Sequence, residues 1–465
     1  MNGMRTHSRT RRYAALAAST AALALVLTAC SSDDGDKGDG GGGGSTDNNA
    51  DCADYTDYGD LSGKTITIYA GIVDPEDQPY VDSFKPFEEC TGAKVDYQAD
   101  KQFEQQILVR AQAGNPPDIA IVPQPGLLAQ LVATGTVKAA PDAVAQNVDE
   151  FWGEDWKALG TVDGTFYAAP SGASVKSLVW YSPQEFQSNG WEVPTTLDEL
   201  KTLSETIAKD SGHKPWCAGI ASDAATGWPV TDWMEDFMLR VGGPDVYDQW
   251  VSHEIAFNSE VPTQALDAVG EYLKNPDFVN GGFGDVSSIA TTAFQDGGLP
   301  ILDGQCSLHR QASFYAANFP EGTDISENGQ IYAFYLPGKT ADDKPVLGAG
   351  EFVTAFSDRP EVQALLQFWS TDTWANLKAQ ASVDRTNGGW ITANKGLDTS
   401  ILTNPIDKLS ADILQDSNAV FRFDGSDMMP AAVGSNAFWT ETTNWITGQS
   451  TKDTLDHIEA AWPAS

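Results

Sequence analysis

Lys64-Thr-Ile-Thr-Ile-Tyr-Ala70, Ala93-Lys-Val-Asp-Tyr-Gln98 and Asp118-Ile-Ala-Ile-Val122 are three short runs bounded by Gly, Pro or Asp. They are rich in β-branched and aromatic residues and read as strands. Between them the period changes. Gln78–Cys90 carries Tyr80, Phe84 and Phe87 near helical spacing around Pro86, and Phe103–Ala113 is a helical stretch stopped by Gly114-Asn-Pro-Pro117. Leu127–Val132 is a third helix. Strand–helix–strand–helix–strand at this spacing predicts a parallel α/β sheet. Ligands of such sheets sit beyond the carboxyl ends of the strands, so Gly71–Glu76 and Pro123–Gln124 give a first address for a site.

The next informative stretch is DGTFYAAPSGASVKSLVWYSPQEFQSNGWEVPTTLDELK, Asp163 to Lys201. Thr165–Ala169 and Val175–Tyr181 read as strands, and Pro170-Ser-Gly-Ala-Ser174 as a polar break between them. Pro194, Thr195-Thr196 and Asp198-Glu199 form a helix-start signature, in which a Thr side chain and the acid three residues on cap each other's amides. Helices are expected at Leu197–Ile207, Thr231–Leu239, Pro262–Leu273 and Pro360–Trp369, and a strand at Gln330–Leu336. No internal repeat is evident.

The first 29 residues read as a processed export signal. Arg5, Arg9, Arg11 and Arg12 form a basic region and Ala14–Leu27 an apolar one, too short to span a bilayer. Arg11-Arg12 leaves Sec and twin-arginine export both open. Leu27-Thr-Ala-Cys30 resembles the lipobox of bacterial lipoproteins, which implies lipidation at Cys30 and attachment to the outer face of the cell membrane. Residues 30–60 begin with Gly, Ser, Asp and Asn, including five consecutive glycines at Gly40–Gly44, and read as a flexible tether.

The formal charge is −37, and loss of the four signal arginines takes it to about −41. Nucleic acid and anionic surfaces are therefore excluded as binding partners. The remaining chain is too long for one compact core, so two lobes are expected. With Cys30 acylated, Cys52, Cys90, Cys217 and Cys306 are left, an even number that favours two disulfides. Three pairings are possible. Cys52–Cys90 and Cys217–Cys306 are favoured, the first pinning the N-terminal strand region to the end of the first helix. No CxxC occurs, and His213, His253, His309 and His457 show no metal-ligand spacing, so neither metal nor cofactor is indicated.

Several segments together carry a family resemblance. Val109-Arg-Ala-Gln-Ala-Gly-Asn-Pro-Pro-Asp-Ile-Ala-Ile-Val-Pro123 and Leu131-Val-Ala-Thr-Gly135 resemble the sugar-binding lipoproteins of bacterial ABC importers, as do FYAAP, LVWY and VPTTLDEL within Asp163–Lys201. Met429-Pro-Ala-Ala-Val-Gly-Ser-Asn-Ala-Phe-Trp439 resembles a segment near the C-terminus of maltose-binding proteins. Lys214-Pro-Trp-Cys217, Ala225–Trp233 and Arg422–Pro430 are most similar to the α-glucoside-binding branch. The resemblance runs from about Leu61 to Ser465. It implies an α/β, two-lobed periplasmic-binding-protein-like fold with hinge crossings near Pro170–Ser174, Leu347–Phe352 and Asn387–Trp390. Lobe 1 would comprise residues 61–172 plus about 350–388, and lobe 2 residues 173–349 plus about 389–465. The implied function is capture of a neutral α-glucoside of maltose, maltodextrin or trehalose type in the interlobe cleft, for delivery to ABC permease subunits.

Sugar rings stack their C–H faces on aromatic planes and place hydroxyls on polar groups. All fourteen Trp lie at or after Trp152, which points to the second lobe as the stacking platform. Trp439 matches a sugar-stacking aromatic of maltose-binding proteins. Trp228, between Gly227 and Pro229, reads as a loop residue facing ligand. Asp232 is a hydroxyl acceptor, and family position places Lys176 at the cleft. Arg310 falls where those proteins place another stacking Trp, and offers donors instead. Glu351, Asp427, Glu76, Gln124, Asn387 and Trp390 complete the expected sugar-binding set.

Two other classes compete with this reading. Acidic, Trp-rich exported chains include glycoside hydrolases, whose paired carboxylates no sequence excludes, although GxSxG, HExxH and kinase-type phosphate loops are absent. The other class is a lipoprotein adhesin or sensor.

Overall fold

A computed structural model describes residues 52–416 and 418–463. The export signal, Cys30 and the glycine-rich part of the tether lie outside the described residues. Structure begins earlier than residue 60. Cys52–Tyr58 is a 3₁₀ helix, held by the Cys52–Cys90 disulfide and by Tyr55, which is buried against Phe368 at 5.5 Å between ring centroids. No helix among the described residues is long and apolar enough to cross a membrane.

Among the described residues, twelve strands form two main sheets and a hairpin. They are β1 (Thr65–Ala70), β2 (Lys94–Ala99), β3 (Ile119–Val122), β4 (Thr161–Val162), β5 (Thr165–Phe166), β6 (Ala168–Val175), β7 (Leu178–Tyr181), β8 (Lys214–Trp216), β9 (Cys306–Arg310), β10 (Tyr332–Tyr335), β11 (Lys344–Ala355) and β12 (Ala419–Phe423). The first sheet has the order β12-β11-β3-β1-β2, with β6 also paired to β11, and the second has the order β10-β7-β9-β8. As the spacing predicts, β1 pairs in parallel with both β2 and β3. The helical run after β1 is two short helices, Gln78–Ser83 and Lys85–Thr91, because Pro86 cannot continue a helix from Phe84. The first core packs Ile66, Ile68, Phe84, Phe87, Ile121 and Trp369; the second packs Trp216, Trp233, Phe237, Tyr272 and Trp445.

Pro170–Ser174 is strand, not a break. β6 runs antiparallel to β11 from Thr354↔Ala168 to Gly348↔Val175, with an irregularity between Gly350 and Phe352. The small residues Ser171-Gly-Ala-Ser174 face Gly348-Ala-Gly350, so two turn-prone stretches approach closely and satisfy each other's backbone groups. The actual break is Lys176-Ser177, two residues that carry the chain from the first sheet into β7 of the second. Ile391 lies beside the same strand, its carbonyl accepting from the Ala173 amide at 2.8 Å. β12 pairs in parallel with Lys344–Gly348 and so joins the first sheet, although both segments fall in the stretch expected of the second lobe.

The helix after Pro194 starts as the sequence predicts. Thr196 Oγ1 accepts from the Glu199 amide at 3.2 Å, while the Glu199 carboxylate reaches back to the Thr195 amide at 2.8 Å. Cys217 pairs with Cys306 across 89 residues, tying the end of β8 to the start of β9. Closing so long a loop removes much denatured-state entropy. Replacing both cysteines by Ser is expected to lower unfolding stability by about 3–5 kcal/mol, measured by urea unfolding against the wild type.

Candidate functional site

A cavity of about 240 Å³ opens where β6, β11 and the ends of β1 and β3 meet helix and loop residues around Ser222–Trp228, Phe294 and Phe314. That is many times the space one water needs. Gly71–Val73, Glu76, Pro123 and Gln124 line it, which is the address set by the carboxyl ends of the parallel strands.

One wall is aromatic. Trp228 meets Phe294 edge-on at 5.1 Å and lies 6.0 Å from Phe314, and all three rings are half-buried at the cavity. Trp228 is the first residue of helix Trp228–Gly242 rather than a loop residue, because Pro229 is preset for a first turn. Trp390 and Trp439 line the cavity from two further segments. The Trp439 Nε1 donor and the Gln124 Oε1 acceptor, on side chains 3% and 5% exposed, have no hydrogen-bond partner among the described residues. Buried polar atoms are rarely left so, and both belong to a surface built for something to bind.

Beneath the Trp228 side lies a buried ion network. Lys176 Nζ donates to Asp232 Oδ1 at 2.9 Å and to Asp424 Oδ2. Arg310 donates to Asp232 Oδ2 at 3.0 Å and to Asp236 Oδ2 at 2.5 Å, and Arg240 donates to Asp236 Oδ1 at 2.8 Å. Lys176 also lies 5.4 Å from the Trp228 ring, so it holds the network to the aromatic wall. Burial pushes the Asp232 carboxyl up to about 6 against the pull of Lys176 and Arg310. Burial also raises the Glu235 carboxyl well above its ordinary range, helped by Asp424 and Asp232, and it accepts the Gly425 and Ser426 amides at 2.9 and 3.0 Å.

A second polar group faces the cavity from the first-sheet side. The Lys378 ammonium sits 4.2 Å from the Tyr80 ring and 4.7 Å from the Trp390 ring and donates to Ser382 Oγ at 3.0 Å. Burial lowers it to about 7, opposed by Glu351, Glu76 and Asp407. Tyr80 donates to Glu351 Oε2, and Asn318 Nδ2 reaches Glu76 Oε1 at 3.4 Å. Burial raises Glu76 and Asp407 to about 7 each. Gly172 leaves the room these groups occupy. A Cβ there would lie 2.8 Å from Glu351 Oε2 and 2.9 Å from Trp390 Nε1.

Of the expected ligand residues, Trp439, Trp228, Lys176, Glu351, Asp427, Gln124, Glu76 and Trp390 line the cavity. Asp232, Arg310 and Asn387 do not. The Asp232 and Arg310 side chains are fully buried and spend their donors and acceptors on each other, Lys176 and Asp236. Asn387 turns its amide away to the Phe319 carbonyl at 2.8 Å, leaving Thr386 and Gly388–Trp390 on the wall. Lys378, Tyr80, Glu104, Phe294, Phe314 and Asp424 also line the cavity, with no signal in the sequence. Each is an ordinary residue of its own helix or loop, and only long-range packing gathers them.

A concave, aromatic and hydrogen-bonding cavity between two α/β sheets defines a small-molecule-binding protein. The chain belongs to the family described as bacterial extracellular solute-binding proteins, whose pattern matches residues 71–300. It is 39% identical over 419 residues to the alpha-glucosides-binding periplasmic protein AglE of Rhizobium meliloti (strain 1021), covering 87% of this chain and 88% of that one. It is 37% identical over 408 residues to the osmoprotective compounds-binding protein GgtB of Synechocystis, covering 87% and 94%. In fold it matches the maltose-bound MalE3 of T. maritima with a TM-score of 0.67 at 15% identity, covering 85% and 98%. The solute receptor AcbH gives 0.70 at 19%, covering 86% and 97%. Membership makes this an exported binding protein and removes the grounds for a hydrolase.

The carboxyls of Glu76, Asp407 and Glu104, the last also raised to about 7 by burial, hold protons more tightly folded than unfolded. The stability this confers is full below the unfolded carboxylate range and is lost as pH rises through about 7. Unfolding stability of the ligand-free protein is therefore expected to fall from pH 5 to pH 7.5. In Glu76→Gln the fall should be shallower by at least about 1 kcal/mol, read by urea unfolding at both pH values. Gly172→Ala should lower ligand affinity about tenfold or more in titration calorimetry, since a methyl group displaces Glu351 or Trp390.

Proposed function

We propose that this protein is the substrate-binding component of an ABC sugar importer and captures an α-glucoside of maltose, maltodextrin or trehalose type. The cavity wall carries this reading. Trp228, Trp390 and Trp439 offer planes to sugar C–H faces, while Gln124, Glu76, Glu351, Asp427 and Lys176 offer hydrogen-bonding groups to hydroxyls. The relative named for α-glucosides supports the substrate class.

Residues 61–172 with about 350–388 would move as one lobe and residues 173–349 with about 389–465 as the other, hinged where β6 and β11 run together. Ligand touching both lobes favours the closed form by its higher affinity for it. The closed form docks on the permease, and a lipid on Cys30 keeps the protein at the membrane.

A thermal-shift panel with maltose, maltodextrin and trehalose tests the assignment. A sugar bound only by the folded chain raises the melting temperature, by RT ln(1 + [L]/Kd) in free energy. No shift with any of the three sinks the α-glucoside assignment, and release of reducing sugar from trehalose would sink the binding role.

A further inference from the structure

The buried cations beneath the cavity are each paired, and two carboxyls are left over: Glu235, which accepts the Gly425 and Ser426 amides, and Asp427. Lys176, Arg240 and Arg310 are matched by Asp232, Asp236 and Asp424, each joined by at least one ion pair. Asp427 lies against this balanced set, 6% exposed and lining the cavity, with no cation of its own among the described residues. Glu104 lines the same cavity from helix Phe103–Gln112 and also forms no ion pair. The start of helix Pro125–Ala133 brings them together. Gly126 packs so closely on the next segment that a Cβ there would lie 1.9 Å from the Met429 carbonyl oxygen and 3.3 Å from that of Asp427. Gln124, just before that helix, lies beside Glu104 and leaves its Oε1 unpartnered and buried.

Glu104, Gln124 and Asp427 therefore line the cavity around the start of helix Pro125–Ala133, two of them with carboxyls. Lys101 stands on the rim, is exposed and pairs with neither. Burial raises both carboxyls, and Asp427 is pushed up further by Asp424, Asp232 and Glu104 against the opposing pull of Lys176. A sugar hydroxyl supplies one donor and no charge. An ammonium supplies three donors and a positive charge beside which both carboxyls can ionise.

We propose that the ligand carries a basic nitrogen: it is an amine-bearing glucoside whose ammonium is held by the Glu104 and Asp427 carboxyls and the Gln124 side-chain oxygen. This rests on the α-glucoside reading and narrows its substrate class. The stacking of the sugar rings on Trp228, Trp390 and Trp439 is unchanged by it.

The test compares maltose and trehalose with their 2-amino-2-deoxy and 6-amino-6-deoxy analogues by titration calorimetry at pH 7, in two buffers of different ionisation enthalpy. At least one amino analogue is expected to bind tenfold or more tightly than its parent, with proton release as the carboxyls ionise beside it. N-acetylation of that analogue, which removes the charge, should abolish the preference. Glu104→Gln and Asp427→Asn, each checked for folding by circular dichroism, should bring the ratio of amine to parent affinity below about threefold. If the parents bind and every amino analogue binds equally or more weakly, or if the acetylated analogue keeps the preference, the proposal is overturned and the α-glucoside reading stands. If no sugar of either kind binds, both fall.

Discussion

The structure depends on keeping Lys176 charged and paired where the chain leaves one sheet for the other. Its ammonium reaches Asp232 on helix Trp228–Gly242 and Asp424 just beyond β12. Arg310 on β9 completes the link through Asp232 and Asp236. Four separated segments thus meet in one ion network. Burying these charges is costly, and the cost is offset only while each keeps its partners. Ser177, the other residue of the break, donates to Asp236 at 2.5 Å and accepts the Leu347 amide at 2.8 Å, so the network also reaches β11. The crossing is consequently fixed in position relative to the cavity wall.

That anchoring gives the ligand cavity its shape. β6 and β11 are narrow because their facing residues are small, and the narrowness leaves space for Glu351 and Trp390 over Gly172. Aromatic rings come from both sides, Trp228, Phe294 and Phe314 from one and Tyr80 and Trp390 from the other, and so do the carboxyls.

Legibility followed the range of the interactions. The strands at Lys64–Ala70, Ala93–Gln98 and Asp118–Val122 were readable because alternation and β-branching act locally, and so was the helix start at Thr196. The site address at the carboxyl ends of those strands was readable because it follows from parallel topology alone. Pro170–Ser174 misleads in sequence, since Pro, Ser and Gly favour turns unless a matching strand of small residues lies alongside. Asp232 and Arg310 carry the right chemistry for sugar hydroxyls, and no sequence pattern reveals that they satisfy each other 78 residues apart.

The amino-acid sequence by itself determined the parallel pairing of β1 with β2 and β3, within a sheet that β11 makes mixed, and the solute-binding family, and it pointed to the even cysteine set as two disulfides. Residues near in the chain, and motifs in fixed order, carry that information. Tertiary structure alone decided which polar residues face the cavity and which are consumed beneath it. It turned Lys378 and Glu104 from ordinary helix residues into cavity residues, because desolvation and pairing depend on what distant segments place beside a group.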